Sequence, residues 1–202
     1  MKRINVTKEK WKDSIVDEAV LVLKNGGIVM HPTDTCYGLA VDVFNEEALH
    51  KLYSLKRMDE YKPVSIIVTS IEDAKQWGEV DEKAEDLMRR FWPGPYTFLV
   101  KRKSTLPMFF NKGIDKVGLR NPASPNVMEV VKKFGRPITT TSANISGRPE
   151  TYDASEFLGQ IKGEDNSVKP DLIIDIGLIG ENEPSTVYDI ENDVCLRGSI
   201  DL

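Results

Sequence analysis

A mixed-sheet α/β domain is the fold this sequence predicts, and three features carry the assignment. Short β-rich runs recur from residue 28 to residue 197, amphipathic helical stretches separate several of them, and the two kinds of segment intermingle without strict strand–helix–strand repetition. Strict repetition would point to a doubly wound parallel sheet, so its absence favours an open, mixed sheet with helices around it. With 202 residues, 40% hydrophobic and 29% charged, the chain can bury one sizeable core, and a single domain over residues 1–202 is expected.

The elements follow in order. Trp11, Ile15, Ala19, Val22 and Leu23 have helical spacing, and Asn25-Gly26-Gly27 stops that helix. Ile28-Val29-Met30 is a short strand ending at His31-Pro32-Thr33-Asp34-Thr35. Asn45 can cap a helix that turns Ala48, Leu49, Leu52 and Tyr53 inward. It ends near Lys56-Arg57, cations suited to the negative end of its dipole. Val64 to Thr69 is β-rich, and Ser70 with Asp73 forms a capping pair for a short helix ending near Gly78. Asp81 opens a helix carrying Ala84, Leu87, Met88 and Phe91, closed by Trp92-Pro93-Gly94-Pro95. Tyr96 to Val100 and Val117 to Leu119 read as strands, the second ending on Arg120. Ser124-Pro125 starts a helix with Val127, Met128, Val131 and Phe134, and Gly135 stops it. Ile138 then leads a strand into the hydroxyl- and amide-rich turn from Thr139 to Gly147. A short helix begins at Asp153 or Ser155 and runs through Ile161; Leu172 to Ile176, Thr186 to Ile190 and Val194 to Arg197 are three more strands. The most linker-like stretch is Gly159 to Pro170.

Composition narrows the class of protein. The apolar runs are only a few residues long, far short of the ~20 that span a bilayer. Met1-Lys2-Arg3-Ile4-Asn5 lacks the apolar run of a signal peptide. Cys36 and Cys195, the two cysteines, imply no disulfide framework. A cytoplasmic protein without a membrane partner is expected, so Asn5-Val6-Thr7 and Asn144-Ile145-Ser146 match the glycosylation pattern by chance. A net charge of -5 argues against non-specific coating of nucleic acid but leaves room for a local basic cleft. With His31 and His50 alone and no paired cysteines, a protein-held metal site is not expected.

Polar clusters fall where strands and helices end: Pro32 to Gly38, Lys56-Arg57 through Lys62-Pro63, Gly118 to Pro122 and Thr139 to Gly147. Pro184-Ser185-Thr186-Val187 and Arg197-Gly198-Ser199 follow near the C-terminus. Side chains at the ends of neighbouring strands converge on one crevice, where Lys56, Arg57, Lys62, Arg120 and Arg197 would meet the hydroxyls as a polyanion pocket. Singly, each cluster is better read as a solvated turn or helix end, and Arg120 as a surface ion-pair partner. No Gly-x-x-x-x-Gly-Lys-Ser/Thr phosphate loop, no Gly-x-Gly-x-x-Gly after a strand and no Gly-x-Ser-x-Gly elbow is present. Cys36 reads as a buried thiol and Asp34 as a turn cap rather than a general base.

Together the clusters resemble the YrdC/Sua5/YciO family, which includes threonylcarbamoyl-AMP synthases. The likeness spans nearly the whole chain and rests on Pro32 to Gly38, Lys62-Pro63, Phe91 to Thr97, Leu119 to Pro122, Ser142 to Gly147 and Pro184 to Val187. It implies an open twisted sheet whose concave cavity binds ATP and L-threonine, in a chain that stops at the catalytic domain. It further implies condensation of L-threonine, bicarbonate or CO2, and ATP to threonylcarbamoyl-AMP and pyrophosphate, a nucleotidyl transfer. Mg2+ would accompany ATP, and a separate transferase would use the product for tRNA t6A modification.

Residue by residue, the likeness implies that Thr33, Thr35 and Tyr37 hold L-threonine with Arg120 and Ser185. Lys56 and Ser142 would complete that pocket, while Ser142, Asn144, Lys62 and Arg197 face the nucleotide. The family pairs a Lys with an Arg two positions later; here Met58 stands two positions after Lys56. Either Arg57 or Lys62 supplies the missing cation, or the nucleotide site is altered as in the YciO branch. That last alternative gives a module that binds a nucleotide or double-stranded RNA without synthesis. A carbamoyl-transfer domain of a larger maturation enzyme is a third reading, one that lacks its accompanying zinc-finger and acylphosphatase modules.

Overall fold

The computed structural model describes residues 1–9, 11–162, 168–180 and 182–202. Part of the linker-like stretch expected from Gly159 to Pro170 therefore lies outside the described residues. Local chemistry sets most helix ends. Asn45 Oδ1 accepts from the Ala48 N–H (3.0 Å) to open α2 (Glu46–Lys56), and Ser70 Oγ accepts from Asp73 N–H (3.0 Å) to open α3 (Ile71–Trp77). Asp81 Oδ1 likewise opens α4 (Glu82–Phe91), and Asp153 with Glu156 forms a capping box on α6 (Ala154–Ile161). α5 (Pro125–Phe134) has proline in its first turn and ends on Gly135 at φ 82, a left-handed position that costs glycine little. α1 is Asp13–Lys24, so Trp11 precedes the helix rather than opening it.

Among the described residues ten strands form one sheet: β1 (Lys2–Asn5), β2 (Val29–Pro32), β3 (Tyr37–Ala40), β4 (Ser65–Ile67), β5 (Tyr96–Lys101), β6 (Lys116–Arg120), β7 (Ile138–Ser142), β8 (Leu172–Asp175), β9 (Thr186–Asp189) and β10 (Val194–Arg197). Their order is β1-β8-β2-β3-β7-β4-β6-β5-β9-β10. β8 pairs in parallel with β1 and β2, β4 with β6, and β5 with β9; the other pairings are antiparallel. The sheet is mixed, as the intermingled pattern predicts.

Two strands were not legible in advance. β1 has one half-buried apolar side chain, Ile4, and is held by backbone pairing to β8. β3 is buried throughout, but its first residues lie inside the polar cluster that reads as a turn.

The sheet carries apolar clusters on both faces. α1 and α5 pack with Val29, Ile67, Ile138, Leu172 and Ile174 on one; α2, α4 and α6 pack with Met30, Leu39, Ile66, Phe98 and Leu119 on the other. Because strand side chains alternate, Ser65 shares a face with Ile67, and Thr140 and Ser142 share one with Ile138. Beyond the cover of α1 and α5, that face turns polar and becomes the floor of a cavity.

Candidate active site

The floor repeats every second residue: Thr97 and Leu99 on β5, Lys116, Gly118 and Arg120 on β6, Thr140 and Ser142 on β7. Small side chains keep it deep. A Cβ on Gly118 would stand 2.2 Å from Ser65 Oγ, so a side chain there collides with the neighbouring strand. The resulting space is ≈ 550 Å³.

One wall is the loop between β2 and β3. Thr33 Oγ1 donates to Cys36 O (2.6 Å) and accepts from Thr35 N–H (3.1 Å), a turn that presents Thr35 Oγ1 to Arg120. An Arg120 Nη donates to Thr35 Oγ1 (3.0 Å) and to Asp34 Oδ1 (2.5 Å), in a pair whose side chains are 8% and 10% exposed. Asp34 Oδ2 accepts from Ala123 N–H (3.0 Å), so this carboxylate ties the loop to the segment after β6 instead of capping its own turn, as the sequence reading has it: a buried guanidinium and a distant N–H take both of its oxygens. The Nε–H of Arg120 is buried with no acceptor among the described residues. Cys36 is buried in the same wall, and burial pushes its thiol up, away from the reactive thiolate.

A second wall, beside the first, is the turn after β7. Lys56, at the end of α2, donates to Ser142 O, to Asn144 O (2.9 Å) and to Asn144 Oδ1 (3.1 Å). All three ammonium hydrogens thus find oxygens of one turn. Burial, the largest cause, brings its pKa down to about 8; Cys36 pulls the other way and the Lys62 charge adds to the lowering. Ser142 Oγ donates to Asn144 Oδ1 (2.6 Å), and Asn144 Nδ2 donates to Ile145 O (3.2 Å) and Arg148 O (2.6 Å). The third side is β9 and β10. Arg197 donates through Nε to Ser185 O (2.7 Å) and through Nη to Ser185 Oγ (2.9 Å), and Thr97 Oγ1 lies 3.2 Å from that hydroxyl.

Of the residues singled out in the sequence, Thr35, Lys56, Lys62, Arg120, Ser142, Asn144, Ser185 and Arg197 line the cavity. Three candidates do not. Tyr37 is fully buried with its hydroxyl donating toward Asp175 Oδ1 (3.1 Å) and Gly177 O (2.8 Å), because β3 has begun and alternation points it into the core. Thr33 sits behind the turn it shapes. Arg57 adopts φ 49 as the cap of α2, and the left-handed residue carries its exposed side chain off the cavity. Met58 lines the cavity and packs in the core, leaving Lys62, at the rim, as the basic residue of that segment beside Lys56.

Lys116, Arg148 and Glu150 also line the cavity and escaped the sequence reading. Lys116 has the strand parity of Arg120, which is the signal that finds it; its ammonium is held by Asp189 (2.8 Å) and Glu191 (2.8 Å).

Comparison with known proteins decides the family. Residues 21–198 match the Sua5_yciO_yrdC family model, described as telomere recombination. The chain belongs to the Sua5/YciO/YrdC family. A Methanocaldococcus jannaschii protein is 34% identical over 95% of this chain and 87% of its own length. A Pyrococcus abyssi protein named threonylcarbamoyl-AMP synthase is 34% identical over 93% of this chain and 54% of its own length, so this chain spans about half of that relative. The crystal structure of P. abyssi Sua5 complexed with L-threonine superposes with a TM-score of 0.84 at 32% identity, over 94% of this chain and 54% of that one. Among the described residues no helix is long and apolar enough to cross a membrane.

Proposed function

We propose that this protein is a threonylcarbamoyl-AMP synthase, joining L-threonine, bicarbonate or CO2, and ATP, and releasing pyrophosphate. The observation that carries the reading is the convergence of Thr35, Arg120, Ser142 and Arg197 on one ≈ 550 Å³ cavity, in a chain 32% identical to a threonine-bound relative. The carboxylate of threonine is assigned to Arg120 and Thr35, whose guanidinium and hydroxyl lie side by side. Arg197 and Lys62 are assigned to the phosphates, with the Ser142 hydroxyl at the junction of the two substrates. Lys56, committed to Ser142 and Asn144, holds that junction in shape. Thr33 and Tyr37 act by fixing the Thr35 turn and β3 rather than by touching substrate.

In the transfer step, an oxygen of the carboxylated amine bonds to the α-phosphorus, and the bond from that phosphorus to the bridging oxygen breaks, so pyrophosphate leaves with the electron pair. The chain's contribution is to hold the two substrates in line and to face phosphate oxygens with fixed cations. Among the described residues no group of three His, Cys, Asp or Glu side chains could hold a metal ion. Mg2+ would then enter on the nucleotide, held chiefly by phosphates and water and shielding their charge. The product would pass to a separate transferase acting on adenosine of tRNA in the cytoplasm.

Purified protein given ATP, Mg2+ and bicarbonate should release pyrophosphate only when L-threonine is added. Protein that binds ATP yet shows no threonine dependence would refute the synthase reading and leave a nucleotide-binding module.

A further inference from the structure

The cavity is lined for anions, with one exception. Six Lys or Arg side chains border it, and Glu150 is the single carboxylate among the described lining residues. Its backbone is pinned on both sides. Asn144 Nδ2 donates to Arg148 O (2.6 Å); beyond Glu150, Thr151 Oγ1 donates to Ala143 O (2.6 Å), and Tyr37 N–H donates to Thr151 O (3.0 Å). Glu150, half-buried, is therefore fixed in place beside the turn that carries Ser142. Glu150 lines the same cavity as Cys36 of the β2–β3 loop, Lys56 of α2 and Arg197 of β10.

No hydrogen bond or ion pair to the described residues engages the Glu150 carboxylate. The other acids near the cavity are engaged: Asp34 holds Arg120, while Asp189 and Glu191 hold Lys116. An amino acid enters as a zwitterion, and its two ends need opposite partners. Its carboxylate meets cations wherever it lands, whereas its ammonium meets a single anionic group. A cation in a partly dry, basic cavity pays a desolvation cost that only such a group offsets.

Building on the amino-acid reading above, we propose that Glu150 receives the substrate's ammonium and so selects an amino acid over the same acid lacking the amine. The test pairs a change in the protein with the matching change in the ligand. L-threonine and 3-hydroxybutyrate of the same configuration at the hydroxyl carbon, which keeps that skeleton without the ammonium, are titrated by calorimetry into wild type, Glu150→Gln and Glu150→Asp. Wild type should favour threonine by about tenfold or more, the preference expected of a partly buried charge pair. That ratio should fall toward one in Glu150→Gln and survive in part in Glu150→Asp, with unfolding midpoints unchanged. A ratio that stays the same in Glu150→Gln, or equal losses for both ligands, overturns the role of Glu150 alone. Wild type that binds the two ligands alike overturns it as well. Wild type that binds no threonine at all removes the amino-acid reading itself.

Discussion

Replacing Lys56 by Met is expected to separate the stability of this fold from the working of its cavity. The ammonium is 3% exposed, faces carbonyl and amide oxygens rather than a carboxylate, and has its pKa brought down to about 8. The gap from the ordinary 10.5 corresponds to a cost of about 3 kcal/mol for keeping the charge in the folded protein at neutral pH. Lys56→Met removes that cost but leaves Ser142 O and Asn144 O without their donor, a loss of roughly 1–3 kcal/mol each. The two effects nearly cancel, so the variant should lie within about 3 kcal/mol of wild type at pH 7. Their pH dependence does not cancel. Between pH 8 and 10.5 the unfolded chain keeps the Lys56 proton and the folded one does not, so wild-type stability rises with pH through this window. Relative to Lys56→Met, wild type should gain about 3 kcal/mol from pH 7.5 to pH 10.5, read from urea unfolding of both proteins at each pH. Other groups titrate equally in both, so the difference isolates one amine. A flat difference would refute the claim that burial governs this lysine. Pyrophosphate release should fall at least a hundredfold at every pH, since the turn carrying Ser142 loses its tie.

Two further outcomes follow from the geometry. Arg120→Ala should weaken L-threonine binding tenfold or more by calorimetry, and should cost about 3–5 kcal/mol of stability because Asp34 keeps a buried charge without its partner; an unchanged affinity would remove Arg120 from the substrate site. Gly118→Ala should cost about 1–3 kcal/mol by chemical denaturation, because its Cβ would meet Ser65 Oγ at 2.2 Å and Ser65 Cβ at 2.9 Å. Adding Ser65→Gly to that variant should recover most of the loss, and purely additive effects would contradict a direct clash.

Helix starts were legible in the sequence because a cap is a local event: Asn45, Ser70, Asp81 and Asp153 each bond to a backbone N–H within three residues. The mixed architecture was legible too, since neither face of the sheet needs a repeating strand–helix order. Most cavity residues could be named because their clusters, taken together and in order, resemble a known family; singly, hydroxyls, amides and cations at strand ends read as solvated turns. Strand parity carries the rest: counting by twos along β6 from Arg120 reaches Gly118 and Lys116, and on β3 it sends Tyr37 the other way.

The tertiary structure decided what depends on partners distant in sequence. β1 is a strand only because β8, about 170 residues later, pairs with it. Arg57 and Lys62 read alike as cations, and the left-handed cap at Arg57 separates them. Lys56 reads as a cation free to grip substrate, yet 86 to 88 residues away Ser142 and Asn144 take its hydrogen bonds. Sequence sets which groups can bond and where a helix can begin, because those choices are made within a turn or two. Which groups remain available to a ligand is settled only after the chain has closed its long loops and met its own polar needs in the interior.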